Sequence, residues 1–147
     1  MLAGSIDESA KLSDLVAHAA NGSLVLDLAG VTFINSIGVR EWLRLQQAAT
    51  DASVVLELRR VAEVLIHQLN IVPAARGASV VTSFYASYIC EHCDDQLPML
   101  LDVKLHGAEL AQMNPPSMKC PTCQKAMTFC DPAELYFSFL SGTSPLR

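Results

Sequence analysis

The sequence has no cysteine before position 90. It is also poor in charge, with 17% charged against 51% hydrophobic residues. A chain this apolar can bury a core, so intrinsic disorder is excluded. Long apolar runs are missing as well: none approaches the ~20 residues that cross a bilayer. Met1 to Asp7 holds no basic stretch leading into a long apolar core. No secretory signal is therefore expected, and the expected location is cytoplasmic. A basic balance is lacking too. The net charge is −5, which counts against a general nucleic-acid binder. There is no G-x-x-x-x-G-K-[ST] loop, no Rossmann glycine fingerprint and no acid/base pair at defensible spacing. The expectation is a protein that is not an enzyme. No internal repeat or low-complexity tract is present. At 147 residues the chain is long enough for one small domain with an appendage.

Residues 1–89 alternate strand and helix patterns. Leu2 to Ile6 is a short candidate strand. Leu12, Leu15, Val16 and Ala19 recur at helical spacing. They predict an amphipathic helix starting near Glu8 and Ser9 and stopped by Asn21-Gly22. Leu24 to Leu28 reads as a strand, and Val31 to Ile34 as extended after the break at Ala29-Gly30. A second helix is predicted from about Ser36 to Ala49, with Val39, Trp42, Leu43 and Ala49 inward and Arg40, Arg44 and Gln47 outward. Val54 to Leu58 is the next strand. Val61, Val64, Leu65 and Leu69 mark a third helix, with Asn70 as a left-handed cap, Ile71 packing back and Pro73 ending it. Val80 to Ile89 is the last strand of this part. The order predicts an α/β fold: a mainly parallel sheet with right-handed crossovers, covered by helices mostly on one side.

Residues 90–147 break the alternation and contain all five cysteines. Leu97 to Val103 reads as a strand, Gly107 to Pro116 as a loop and Ala126 to Phe129 as a short strand. Asp131 and Pro132 suit the cap and first turn of a final helix with Leu135, Phe137, Phe139 and Leu140 as its bulk.

Cys90-x-x-Cys93 and Cys120-x-x-Cys123 are separated by 26 residues, which is zinc-ribbon spacing with a slightly long loop. Two residues between cysteines let both sulfurs face one ion from a tight knuckle. Two knuckles make a tetrathiolate with no open position, so the expected cofactor is structural Zn²⁺. A short segment with little apolar surface needs such a staple. A redox pair is the weaker reading, because two pairs are present and neither has a thioredoxin-like strand–CxxC–helix setting. Disulfides are disfavoured without an oxidising compartment. His92 inside the first knuckle is expected to face solvent or support the ligands, and Cys130 to be a buried spare thiol.

The stretch Asp27-Leu28-Ala29-Gly30-Val31-Thr32-Phe33-Ile34-Asn35-Ser36-Ile37-Gly38 resembles the signature of STAS domains, the fold of bacterial anti-sigma-factor antagonists. The resemblance extends over roughly residues 2–89, through the element order as well as the motif. It implies a STAS-like sheet that here lacks the family's usual first strand, followed by a zinc-ribbon-like extension. It implies that Ser36 is the phosphoacceptor and that Asn35, Ser36, Ile37 and Gly38 contribute to partner binding. The family's usual Asp before the serine is Asn35 here. The implied partners are an anti-sigma factor with serine-kinase activity and a phosphatase. A helix N-terminus tolerates an added phosphate, so phosphorylation would act on the docked partner rather than on the fold.

Two functions are weighed on these grounds. One is an anti-sigma-factor-antagonist-like module switched at Ser36. The other is a non-switching STAS adaptor or scaffold subunit, beside an ABC-type transporter or in a signalling assembly. No nucleic-acid partner is expected. A shortened sheet edge and the aromatic terminal helix leave room for a homodimer.

Overall fold

The computed structural model describes residues 3–6, 12–19, 22–77 and 79–141. The fold is mixed α/β, with parallel pairing in its first half and a small antiparallel sheet in its second. Strand β1 (Ala3–Ile6) pairs in parallel with β3 (Gly30–Ile34), with a register shift between Gly4 and Ser5. Strand β2 (Ser23–Asp27) pairs in parallel with β4 (Val55–Arg59), and β4 with the two-residue β5 (Val80–Val81). Along β4, Leu56 and Leu58 are buried while Val55 and Arg59 are exposed. One sheet face therefore carries the core and the other meets solvent.

The first helical segment is a 3₁₀ helix, Leu12–His18. The expected start near Glu8 and Ser9, the residue Leu2 and the stop residue Asn21 lie outside the described residues. Gly22 has φ +76, a conformation glycine adopts without penalty. Helix α1 (Ser36–Asp51) buries Trp42, Leu45, Gln46 and Ala49 and leaves Arg40, Arg44 and Gln47 exposed. Gln46 is polar yet interior. Its amide donates to Ser79 Oγ at 2.7 Å and to the Ala75 carbonyl at 3.0 Å. Trp42 Nε1 donates to the same carbonyl at 2.6 Å. These bonds pin α1 to the short helix α3 (Pro73–Arg76).

Helix α2 (Glu63–Ile71) runs on through Asn70. Asn70 is thus not a left-handed cap, and Ile71 is 71% exposed rather than packed back. The Asn70 side chain is engaged instead by the chain's terminal segment, a contact 66 residues away that no local pattern announces. Pro73 starts α3 at a position that tolerates a missing N–H.

The strand expected over 80–89 divides at Thr82. Residues 80–81 stay in the parallel sheet, while β6 (Ser83–Cys90) turns antiparallel. It pairs with β7 (Asp95–Asp102) and with β8 (Thr128–Phe129). The expected division at 89/90 falls inside β6. Part of the 107–116 loop forms a short helix, α4 (Gly107–Ala111). The final helix is two short pieces, α5 (Ala133–Tyr136) and α6 (Ser138–Ser141), and Pro132 rather than Asp131 holds the cap position. Tyr136, Phe137 and Phe139 are buried against Phe84 and Phe129, so these rings face the chain's own core.

Candidate functional site

The four paired cysteines converge. Cys90 closes β6, and residues 91–94 turn the chain back into β7. The second pair sits in an equivalent turn closed by the Lys119–Ala126 bridge. In each turn the residue after the second cysteine is left-handed: Asp94 at φ 55 and Gln124 at φ 64. That reversal lets the two sulfurs of one knuckle face the same point. Neither pair stands at a strand–helix junction, the setting of a redox C-x-x-C.

All four Sγ atoms lie within 4.8 Å of one another. Cys90 and Cys123 sulfurs are 3.5 Å apart, and those of Cys93 and Cys120 are 3.9 Å apart. Four thiolates around a tetrahedral ion at about 2.3 Å would stand about 3.8 Å from each other. The cluster therefore has the size of a closed tetrathiolate site and can hold a metal ion. Cys90 and Cys120 are fully buried, while Cys93 and Cys123 are partly exposed.

Electrostatics agree with that geometry. The Cys93 thiol is pushed up to about 12, first by its contact with Cys123 and then by burial. Cys120 is brought down to about 7 by the backbone N–H groups of Cys123 and Thr122. Crowded sulfurs cannot all ionise without a cation among them, and backbone donors stabilise the one that does. His92 is exposed and 3.3 Å from Lys125 Nζ, outside the sulfur cluster. Cys130 is exposed, not buried as expected; its N–H donates to the Ser87 carbonyl.

The second candidate region is the start of α1. Asn35 is the cap, with extended φ −104 and ψ −178, and its side chain accepts from Gly38 N at 2.7 Å. Ser36 is the first helical residue and is exposed. Ile37 is 41% exposed and Phe33, on the preceding strand, 50%. Gly38 is buried, so its contribution is the N–H that completes the cap. The cysteines and the α1 start come from different parts of the fold.

Asp27, at the end of β2, forms a forked ion pair with Arg60 just beyond β4. Arg60 is left-handed, at φ 49, and its N–H donates to Ser83 Oγ at 2.9 Å. The Arg60 hydrogen bonds hold the Asp27 carboxyl below its ordinary value against an opposing effect of burial, helped by the Ala29 N–H. Arg60 was not legible as a partner, because its reach depends on the parallel register that sets Asp27 opposite Arg59. Comparison with protein-family models, curated proteins and solved structures finds no match for this chain.

Proposed function

We propose that this chain is a regulatory protein-binding module of the anti-sigma-factor-antagonist type that its STAS-like motif implies. Partner binding is switched by phosphorylation of Ser36. The observation that carries this reading is the exposed Ser36 on the first turn of α1, beside exposed Ile37, with the cap supplied by Asn35. The Ser36 hydroxyl is thus not needed to start the helix. Phosphate at this turn meets unpaired backbone N–H groups and the positive end of the helix dipole. The helix tolerates the added charge, and an interface fitted to a neutral hydroxyl does not. The partners are an anti-sigma factor with serine-kinase activity and a phosphatase that resets the site. Incubation with the cognate kinase and ATP should label wild type and not Ser36→Ala. Labelling of both, or of neither, sinks the switch.

The metal in this reading is Zn²⁺ with a structural role. Four soft thiolates leave no position for a water, and the reducing cytoplasm keeps them reduced. Native mass spectrometry of the purified protein should show one zinc per chain. Protein that carries none after reconstitution contradicts the assignment.

A second reading is a non-switching STAS adaptor or scaffold subunit. Asn35 favours it: where the family has a carboxylate before the serine, this chain has an amide already used as a cap. The adaptor predicts a partner complex indifferent to Ser36→Glu, and the switch predicts its loss.

A further inference from the structure

The cysteine hairpins do not hang from the α/β part on a linker. They are bolted into it through β6. At its first end, β6 continues the parallel sheet. Thr82 N donates to Leu58 O at 2.9 Å, Val61 N to Ser83 O at 3.1 Å and Tyr85 N to Val61 O at 2.9 Å. At its last residue, β6 supplies Cys90 to the sulfur cluster. Between these ends one face is continuous: Phe84, Ala86, Tyr88 and Cys90 alternate along the strand and are all 0–1% exposed. The core of the α/β part therefore runs along about 20 Å of strand to a cluster sulfur.

The second hairpin is tied to the same core. Phe129 follows it on β8, pairs with Tyr88 and stacks on Phe137 at 5.1 Å. Phe137 and Phe139 meet Phe84 at 6.0 and 5.1 Å. Tyr136 donates its hydroxyl to the Tyr85 carbonyl. Asn70 on α2 then clamps the terminal segment, donating to Tyr136 O at 3.0 Å and accepting from Ser138 Oγ and Phe139 N at 2.9 Å each.

We propose that metal binding at the four cysteines and folding of the α/β part are one cooperative event, transmitted through β6 and the clamp on Asn70. This rests on reading the cluster as a metal centre. When the metal leaves, the knuckles open, β8 loses its register, and the aromatic segment loosens from Phe84 and α2. The α/β part then loses a wall of its core, and metal occupancy controls whether the α1 surface exists in folded form. Linkage makes the effect reciprocal: weakening the clamp weakens metal retention.

Trp42 is the chain's one tryptophan and lies buried in α1, so its fluorescence reports the α/β part. The test uses the full chain, with metal content measured in every sample. Urea unfolding of zinc-loaded protein should give a Trp42 transition coincident with far-UV circular dichroism. Chelation should lower its midpoint and raise the unfolded-to-folded ratio in mid-range urea about tenfold. An unchanged Trp42 midpoint in protein shown to have lost its zinc overturns the coupling and leaves the metal centre standing. A chain that binds no zinc on reconstitution overturns the metal reading itself and the coupling with it. In a second arm, Asn70→Ala, which touches no cysteine, should bind zinc about tenfold more weakly in equilibrium competition with a chelator. A folded Asn70→Ala protein that holds zinc with wild-type affinity overturns the proposal.

Discussion

The Cys90 and Cys123 sulfurs stand 3.5 Å apart although 33 positions separate them. Neither residue could reach the other without two hairpin turns, each closed by a left-handed residue. The fold thus presents four thiols at the mutual distance a tetrahedral metal requires.

Replacing one of them should remove the metal. Cys120→Ser takes away a fully buried sulfur that backbone N–H groups already favour as thiolate. Cobalt-reconstituted wild type should show the visible d–d bands of a tetrahedral thiolate site, and Cys120→Ser should lose them. The zinc-loaded cluster should also resist thiol reagents until a chelator is added, whereas exposed Cys130 should react without chelation, and slowly, because burial and the Asp131 and Glu63 carboxylates hold its thiol above the ordinary value.

Capping separates Asn35 from Ser36. Asn35→Ala removes the oxygen that accepts from Gly38 N and should cost about 0.5–2 kcal/mol. Ser36→Ala should be close to neutral for stability, since Ser36 is exposed and makes no cap. Urea unfolding followed by Trp42 fluorescence compares the two. A larger loss at Ser36 than at Asn35 contradicts the assignment.

Phe84 joins the two halves of the molecule. It is fully buried and packs edge-on against Phe137 and Phe139. Phe84→Ala should destabilise the protein by roughly 3–5 kcal/mol, as a large cavity in a packed core does. Thermal or urea unfolding measures it. A near-neutral result would mean that the aromatic segment is not seated on β6.

The Asp27–Arg60 pair makes a pH-dependent contribution. The folded-state carboxyl is held below its ordinary 3.8, chiefly by the Arg60 hydrogen bonds. A depressed acid stabilises the fold above its unfolded value, and that gain is lost as pH falls through the folded one. Asp27→Asn should therefore lower Tm by a few degrees at neutral pH, and the gap should close as pH drops below the ordinary aspartate range. Salt should narrow it too, because the pair is partly exposed. A gap that widens on acidification contradicts the pairing.

Much of the local structure was legible because it depends on local pattern. The helix over α1 follows from its apolar spacing and a capping residue, and Asn35 and Ser36 were both credible starts. The C-x-x-C pairs announced a cluster because two-residue spacing constrains the sulfurs within each knuckle. Three features were not legible for one shared reason. The break at Thr82, the burial of Gln46 and the engagement of Asn70 each depend on a partner distant in sequence. Gln46 is interior because Ser79 and the Ala75 carbonyl satisfy its amide. Asn70 remains helical because the terminal segment takes its side chain. Cys130 is exposed although it follows the half-buried Phe129, because β8 ends at Phe129 and the chain leaves the sheet there.

By itself, then, the sequence determined an α/β beginning, a helix starting at Asn35-Ser36 and four cysteines paired for a metal. Periodicity and short spacings are properties of neighbouring residues, and they survive without knowledge of the fold. Only the tertiary structure decided that one strand, β6, belongs to both halves. Strand pairing and core packing join residues far apart in the chain, and their geometry exists only once the chain is folded.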